Sequence, residues 1–424
     1  MNTVPEFVIT KKQADAINDS FGTPTHVLDE KTLRANAEAV SNFPHTFGLT
    51  ARYAMKANPN STVLKIFDQM GLHFDASTVY EAERAINAGI NPKKIQLTSQ
   101  VIHDEDILEH LVSQGMLFNA TSLEQLRIAN RVVSDRRISI RINPGEGSGA
   151  FKTLTTGGPD SSFGIWYKDI LEAKAIVDSY GLKVVGLHTH IGSGANPEVG
   201  KVIARKSLYF ANIFPEATRF NLGGGFKKGR GPGEKTTDLQ EYGTAIATEF
   251  RNFYGETGRE LHLEIEPGTY LVANAGSLLA RVMDVKKTTD DKRFLLINAG
   301  MNEVLRIPLY GAQHRLTVIP QDSETRGECD YFVCGPACES TDVITLEAKK
   351  PGTLEARTLT EARIGDLFEI GSTAAYCDTM GTAGYTSIPK AGSVLVCNNG
   401  KIVPIASQGT LAQLVQREII PEGY

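Results

Sequence analysis

An α/β fold, a (β/α)8 TIM-like barrel followed by a C-terminal β-rich domain, is what this sequence predicts, on three observations. From about residue 50 to 270, short β-branched runs alternate eight times with stretches of helical period. Several of those stretches close on glycine where a helix C-cap belongs. After about residue 280 the periods shorten to alternating strands separated by Gly, Pro and Asp. Eight strand–helix units are the pattern of a parallel barrel with its helices outside.

The first 27 residues hold one strand-like stretch, PTHVLD, expected to join the β domain. The barrel is expected over 28–272 and opens with the helix EKTLRANAEAVSNF. Its strands are predicted at 52–57, 73–77, 95–99, 117–121, 138–144, 184–191, 220–224 and 261–267. Amphipathic segments such as STVLKIFDQMG, YEAERAINAG, ILEHLVSQG and LEQLRIANRVV lie between them. Residues 1–27 and 273–424 are expected to form the β-rich domain. Its strands are read in FLLINAG, TLEARTLT, GDLFEIG and SVLVCNNGKIV, and its one helix at the C-terminus.

Composition narrows the function. With 41% hydrophobic and 22% charged residues, the chain sits near the globular mean, which excludes disordered and collagenous classes. Lys+Arg 44 against Asp+Glu 49 leaves a net charge of −5, so no strong field draws it to nucleic acid or an anionic membrane. Small molecules or further copies of the chain are the expected partners. The five cysteines are odd in number and contain no CxxC pair, unlike a disulfide framework or a zinc site. With no basic leader and no long apolar run, a cytoplasmic location is expected.

Barrel enzymes place reacting groups at the C-terminal ends of their strands. Read in order, those ends carry Lys56, Asp75, Thr98 with Ser99, Asn119, Arg141 with Asn143, His190 with Ser193, Gly223 to Gly225, and Glu266. In a barrel mouth near other cations, Lys56 would lose solvation and be prepared to form a Schiff base; the alternative is an ordinary solvated lysine. NLGGGF and IGSG supply glycines whose N–H groups can approach a phosphate, or else a plain turn. Glu266 would pair with a protonated pyridine nitrogen. Lysine, phosphate cradle and acid together describe a pyridoxal 5′-phosphate site. The HTH pair His188 and His190 also has the spacing of a barrel metal site, although no ligand set is completed. A histidine stacked on the cofactor and a hydrogen-bonded core histidine are the other readings, the last fitting His188 better.

The motifs YAMKAN, FDASTVYEAERA, RINPG, TGGPDSSFGIWY, GLHTHIGSG, NLGGGF, EIEPG, NEVLRIPLYG, GPACESTDV and AAYCDTMGTAGY follow one another along nearly the whole chain. In them the sequence resembles the diaminopimelate decarboxylases, among the alanine-racemase-like pyridoxal-phosphate enzymes. The resemblance implies a decarboxylase of meso-diaminopimelate, a head-to-tail homodimer with shared active sites, and a β domain that contributes to the substrate site and the dimer interface. It implies that Lys56 carries the cofactor, His190 stacks on its ring and Glu266 pairs with its nitrogen. Ser193, Gly224, Gly225 and Tyr376 are implied phosphate contacts, with Gly268 beside the cofactor and Asp75 and Arg141 in support. Arg306 and Tyr310 would bind substrate carboxylate, while Cys338, as general acid, and Glu339 would reach in from the partner chain.

One motif departs from the family. Where the family has EPGR, this chain has Glu266, Pro267, Gly268 and Thr269. Threonine cannot replace a bidentate guanidinium near the acidic end of the substrate. AAY in place of GAY and an extra residue between Met380 and Tyr385 also alter the pocket. A decarboxylase of another amino acid, basic, D-configured or a biosynthetic intermediate, is therefore the alternative substrate reading. A non-catalytic decarboxylase-like binding protein is the alternative of a different class.

Overall fold

The computed structural model describes residues 4–147, 156–190, 192, 194, 196–289 and 292–423. Two compact units emerge: Met1–Val4, Leu33–Lys228 and Lys235–Leu271 form one, and Pro5–Thr32, Gly229–Glu234 and Val272–Tyr424 the other.

The first unit is a closed barrel of eight parallel strands. They are β1 (Leu49–Ala54), β2 (His73–Ala76), β3 (Ile95–Leu97), β4 (Leu117–Ala120), β5 (Arg137–Asn143), β6 (Lys183–Thr189), β7 (Arg219–Asn221) and β8 (His262–Ile265). Each pairs with the next, and β8 closes on β1. Side chains capping the following helices, among them Asn60, Thr78, Asp104, Ser122 and Asp238, accept backbone N–H groups that the first turn leaves unpaired. Gly181 and Gly258 end two helices in the left-handed conformation.

The observed strands are shorter than expected at the mouth. β1 stops at Ala54, and Lys56 stands in a 3-10 turn, Met55–Ala57, while β6 stops at Thr189, one residue before His190. Inside the barrel, Arg52 on β1 makes two hydrogen bonds of 3.0 and 2.9 Å to Glu264 on β8, both side chains being buried. Such a pair is held together because removing either partner leaves a buried charge.

The second unit is built on a mixed sheet. Its main path runs Arg357–Thr360, Glu328–Cys334, Lys292–Ile297, Gly276–Thr289, Thr25–Asp29, Gly392–Val396 and Ile402–Ala406. Thr25–Asp29 lies antiparallel to Gly276–Thr289 and parallel to Gly392–Val396, which is why residues 28–32 group here and not with the barrel. Leu278, Val282, Leu295, Tyr331, Val333 and Phe368 pack in its core. Helices are not confined to the C-terminal Leu411–Val415, as expected: Lys11–Phe21, Met301–Val304 and Arg306–Tyr310 are helical too. Thr10 and Gln13 form a reciprocal cap for the first, and Gly311 closes the last with φ 58°. Among the described residues no helix is long and apolar enough to cross a membrane.

Candidate active site

The barrel mouth gathers most of the strand-end residues expected there. Glu266, just beyond β8, is buried, and its Oε1 accepts from Asn221 Nδ2 at 2.6 Å and Gln96 Nε2 at 3.1 Å. Two donors on Oε1 leave Oε2 as the oxygen able to carry or share a proton. Burial, then the charge of Asp75, push Glu266 up to about 8, against Arg141, Lys56 and the Asn221 bond. Asp75 accepts from Thr98 Oγ1 at 2.6 Å and is itself raised by burial. Arg141 is buried, lies 5.0 Å over the Phe163 ring, and has no partner for its Nε among the described residues.

His188 Nδ1 lies 2.8 Å from Asn119 Nδ2, a donor, so the ring carries its hydrogen on Nε2, which points toward Glu266 Oε2 at 3.5 Å. Burial, then Arg141, hold His188 well below its ordinary value, and the same causes hold His190 there, so both imidazoles are neutral. His188 is thus the hydrogen-bonded core histidine. His190 Nδ1 has no partner among the described residues. The one group of three with metal-ligand spacing among the described residues is His26, Glu303 and Asp378, not the HTH pair.

The glycines have two tasks. A Cβ on Gly223 (φ 70°) would lie 2.6 Å from His190, and one on Gly224 would collide with the Glu266 carbonyl oxygen. Close packing of this loop therefore demands glycine, a role beyond the phosphate approach or plain turn expected from the sequence. The N–H groups of Gly224 and Gly225 meet no acceptor among the described residues. Ser193 lies outside the described residues. Lys56 is solvent-exposed, not stripped of water as expected, because it sits on the turn beyond the strand. Gly268 is buried, and Thr269 is half-buried at the start of the short helix Thr269–Val272.

The second unit carries the remaining candidates. Arg306 Nη1 donates to His314 Nε2, and Tyr310 is half-buried at the end of the same helix. Tyr376 holds a left-handed backbone, φ 60°. Cys338 is exposed, whereas Cys377 is buried. Glu339 accepts from the Thr341 N–H and hydroxyl, both at 3.1 Å, and from Tyr385 OH at 3.1 Å, bonds that hold its carboxyl below the usual range.

Sequence reasoning passed over Gln96, Asn221, Arg230 and Asp342. The first two had a signal, a polar residue inside an apolar strand run. Asp342 had none: it accepts from Met301 N at 2.6 Å and Ala337 N at 2.8 Å, tying the CES loop to the segment that carries Arg306.

A family model described as "Pyridoxal-dependent decarboxylase, pyridoxal binding domain" matches residues 31–273, more than half of the chain. A diaminopimelate decarboxylase of Escherichia coli (strain K12) is 31% identical over 411 residues, 94% of each chain. A crystal structure of diaminopimelate decarboxylase superposes with a TM-score of 0.89 at 30% identity, covering 96% of both chains. That of diaminopimelate decarboxylase from Helicobacter pylori, complexed with L-lysine, gives 0.80 at 27% identity, over 95% of this chain and 98% of that one. A closed barrel whose mouth holds a buried acid, a neutral histidine and an exposed lysine thus coincides with similarity along nearly the full length, and the chain belongs to the diaminopimelate decarboxylase family of pyridoxal-dependent enzymes.

Proposed function

We propose that this carboxy-lyase converts meso-diaminopimelate to L-lysine and CO2. The observation that carries the reading is Glu266, a buried carboxyl whose Oε2 is available for a proton shared with a heteroaromatic nitrogen. The mouth suits pyridoxal 5′-phosphate in three respects: this acid, and the Gly224 and Gly225 amides and His190 Nδ1, which have no partner among the described residues. When bound, the cofactor supplies an electron sink for the pair left by departing CO2.

The chain's own residues would do the rest. Lys56 Nζ tethers the cofactor and yields its place to the substrate amine. Glu266 Oε2 keeps the ring nitrogen protonated, and a neutral His190 offers its plane without competing for that proton. Gly224 and Gly225, with Ser193, Gly268 and Tyr376, hold the cofactor, and Asp75 and Arg141 balance charge around Glu266 and Lys56. Arg306, Tyr310, Glu339 and Thr269 bind the substrate. Cys338 Sγ returns a proton to the α-carbon. Because the CES loop is exposed, we assign Cys338 and Glu339 to the site of a neighbouring copy in a cytoplasmic homodimer.

The test is direct. Purified protein with saturating cofactor should release CO2 and L-lysine from meso-diaminopimelate. Lys56→Ala should lower turnover by at least about a thousandfold, and borohydride should no longer fix cofactor to the chain. Release of CO2 from another amino acid but not from meso-diaminopimelate would sink the substrate assignment. Thr269 favours that second reading, since a half-buried threonine cannot bind a carboxylate as an arginine fork does.

A further inference from the structure

We propose that Arg230 and Arg306 form a two-guanidinium clamp for the far carboxylate of the substrate. The proposal rests on the assignment of meso-diaminopimelate, an amino acid with a carboxylate at each end.

Arg230 lies in Gly229–Glu234, the six-residue stretch that leaves the barrel sequence and groups with the second unit. Its side chain is only 5% exposed. Nη1 donates to the Ala375 carbonyl at 2.8 Å, and the nearby Glu234 carboxylate is engaged by the Arg230 backbone N–H at 3.0 Å. Among the described residues, neither Arg230 nor Arg306 has an ion pair to a carboxylate. Two other buried guanidinium groups are matched, Arg52 with Glu264 and Arg326 with Asp366, whereas Arg141 at the barrel mouth, like Arg230, has no ion pair among the described residues. A buried cation without a counter-ion is costly, and an anionic ligand removes that cost.

The surrounding groups aim the pair without neutralising it. His314 Nδ1 lies 2.7 Å from the Gly371 carbonyl and must donate to it, so Nε2 accepts from Arg306 on a neutral ring. Burial, then Arg306 and Arg230, keep that ring well below its ordinary value. Both guanidinium groups are thereby tied to one short segment, Arg230 at Ala375 and Arg306 through His314 at Gly371. Ser372 and Tyr376 in it hold left-handed backbone, φ 53° and 60°, a conformation that persists only where the surroundings enforce it. Two planar forks on one braced segment suit a carboxylate.

The probe is pimelate, which has the two carboxylates of the substrate but no amine and so cannot react. It is titrated calorimetrically into the cofactor-loaded protein. R230Q keeps a donor for Ala375 while removing the charge, and should bind pimelate about 10- to 100-fold more weakly than the parent. R230K keeps the charge without the fork and should fall about tenfold; it also serves if R230Q fails to fold. The clamp is refuted if the parent does not bind pimelate, if either variant binds it as the parent does, or if R230Q instead loses cofactor, which would make Arg230 a phosphate contact. Turnover separates the two assignments. A parent protein that binds pimelate but leaves meso-diaminopimelate intact retains the clamp and loses the substrate.

Discussion

At the residue scale, Glu266 shows how environment, not residue type, sets a role. A glutamate on the surface would be ionised near neutral pH. Here burial and the neighbouring Asp75 raise it to about 8 while Gln96 and Asn221 occupy one oxygen. The sign of the stability effect follows. A carboxyl whose folded value is raised stabilises the fold fully below its ordinary 4.5 and loses that contribution as pH rises through about 8. Urea unfolding of cofactor-free protein should show stability falling across that window, with a shallower slope in Glu266→Gln; Asp75, shifted in the same direction, keeps some slope. An identical slope in the variant would refute the buried-acid reading. In the cofactor-loaded protein the slope should shrink, since the carboxylate then has a partner.

At the element scale, the informative contact is Asp342. Its two oxygens accept from Met301 N and Ala337 N, and a Cβ on Gly300 or Gly335 would collide with them. The carboxylate thus fits a cage that only glycines leave room for, and it joins the loop of Cys338 to the segment leading to Arg306. Removing it costs roughly 1.5 to 3 kcal/mol for each charge-assisted bond lost. Asp342→Ala should lower kcat about tenfold, leave the cofactor spectrum unchanged, and speed hydrogen exchange at residues 335–342. Unchanged exchange there, with kcat lost, would show that Asp342 acts other than by holding the loop.

At the scale of the whole molecule, the active site is proposed to be shared between two copies of the chain. Cys338 is exposed and the Glu339 carboxylate accepts from Thr341 and from Tyr385 OH, and both residues are proposed to serve a neighbouring copy. Two individually inactive variants, Lys56→Ala and Cys338→Ala, should therefore regain part of the parent activity when mixed under subunit exchange. Mixtures that stay inactive although sedimentation shows mixed dimers would mean that each chain completes its own site.

Much of this was legible without coordinates, because a strand or helix that buries one face must write that face into its period. The eight strand–helix units and the order of Lys56, Asp75, Arg141, His190 and Glu266 at strand ends follow from local pattern, and the decarboxylase motifs from their resemblance to a known family. Long-range packing within each unit decided the rest. Gln96 meets Glu266 across 170 residues and Arg230 meets Ala375 across 145, and no period records a partner that far away. Tertiary structure moved Lys56 off its strand, drew 28–32 and 229–234 into the second unit, and gave Gly224 a packing role. The sequence by itself determined which chemical groups the protein owns. Only the fold determined their solvation and their neighbours, because burial and charge act through space and not along the chain.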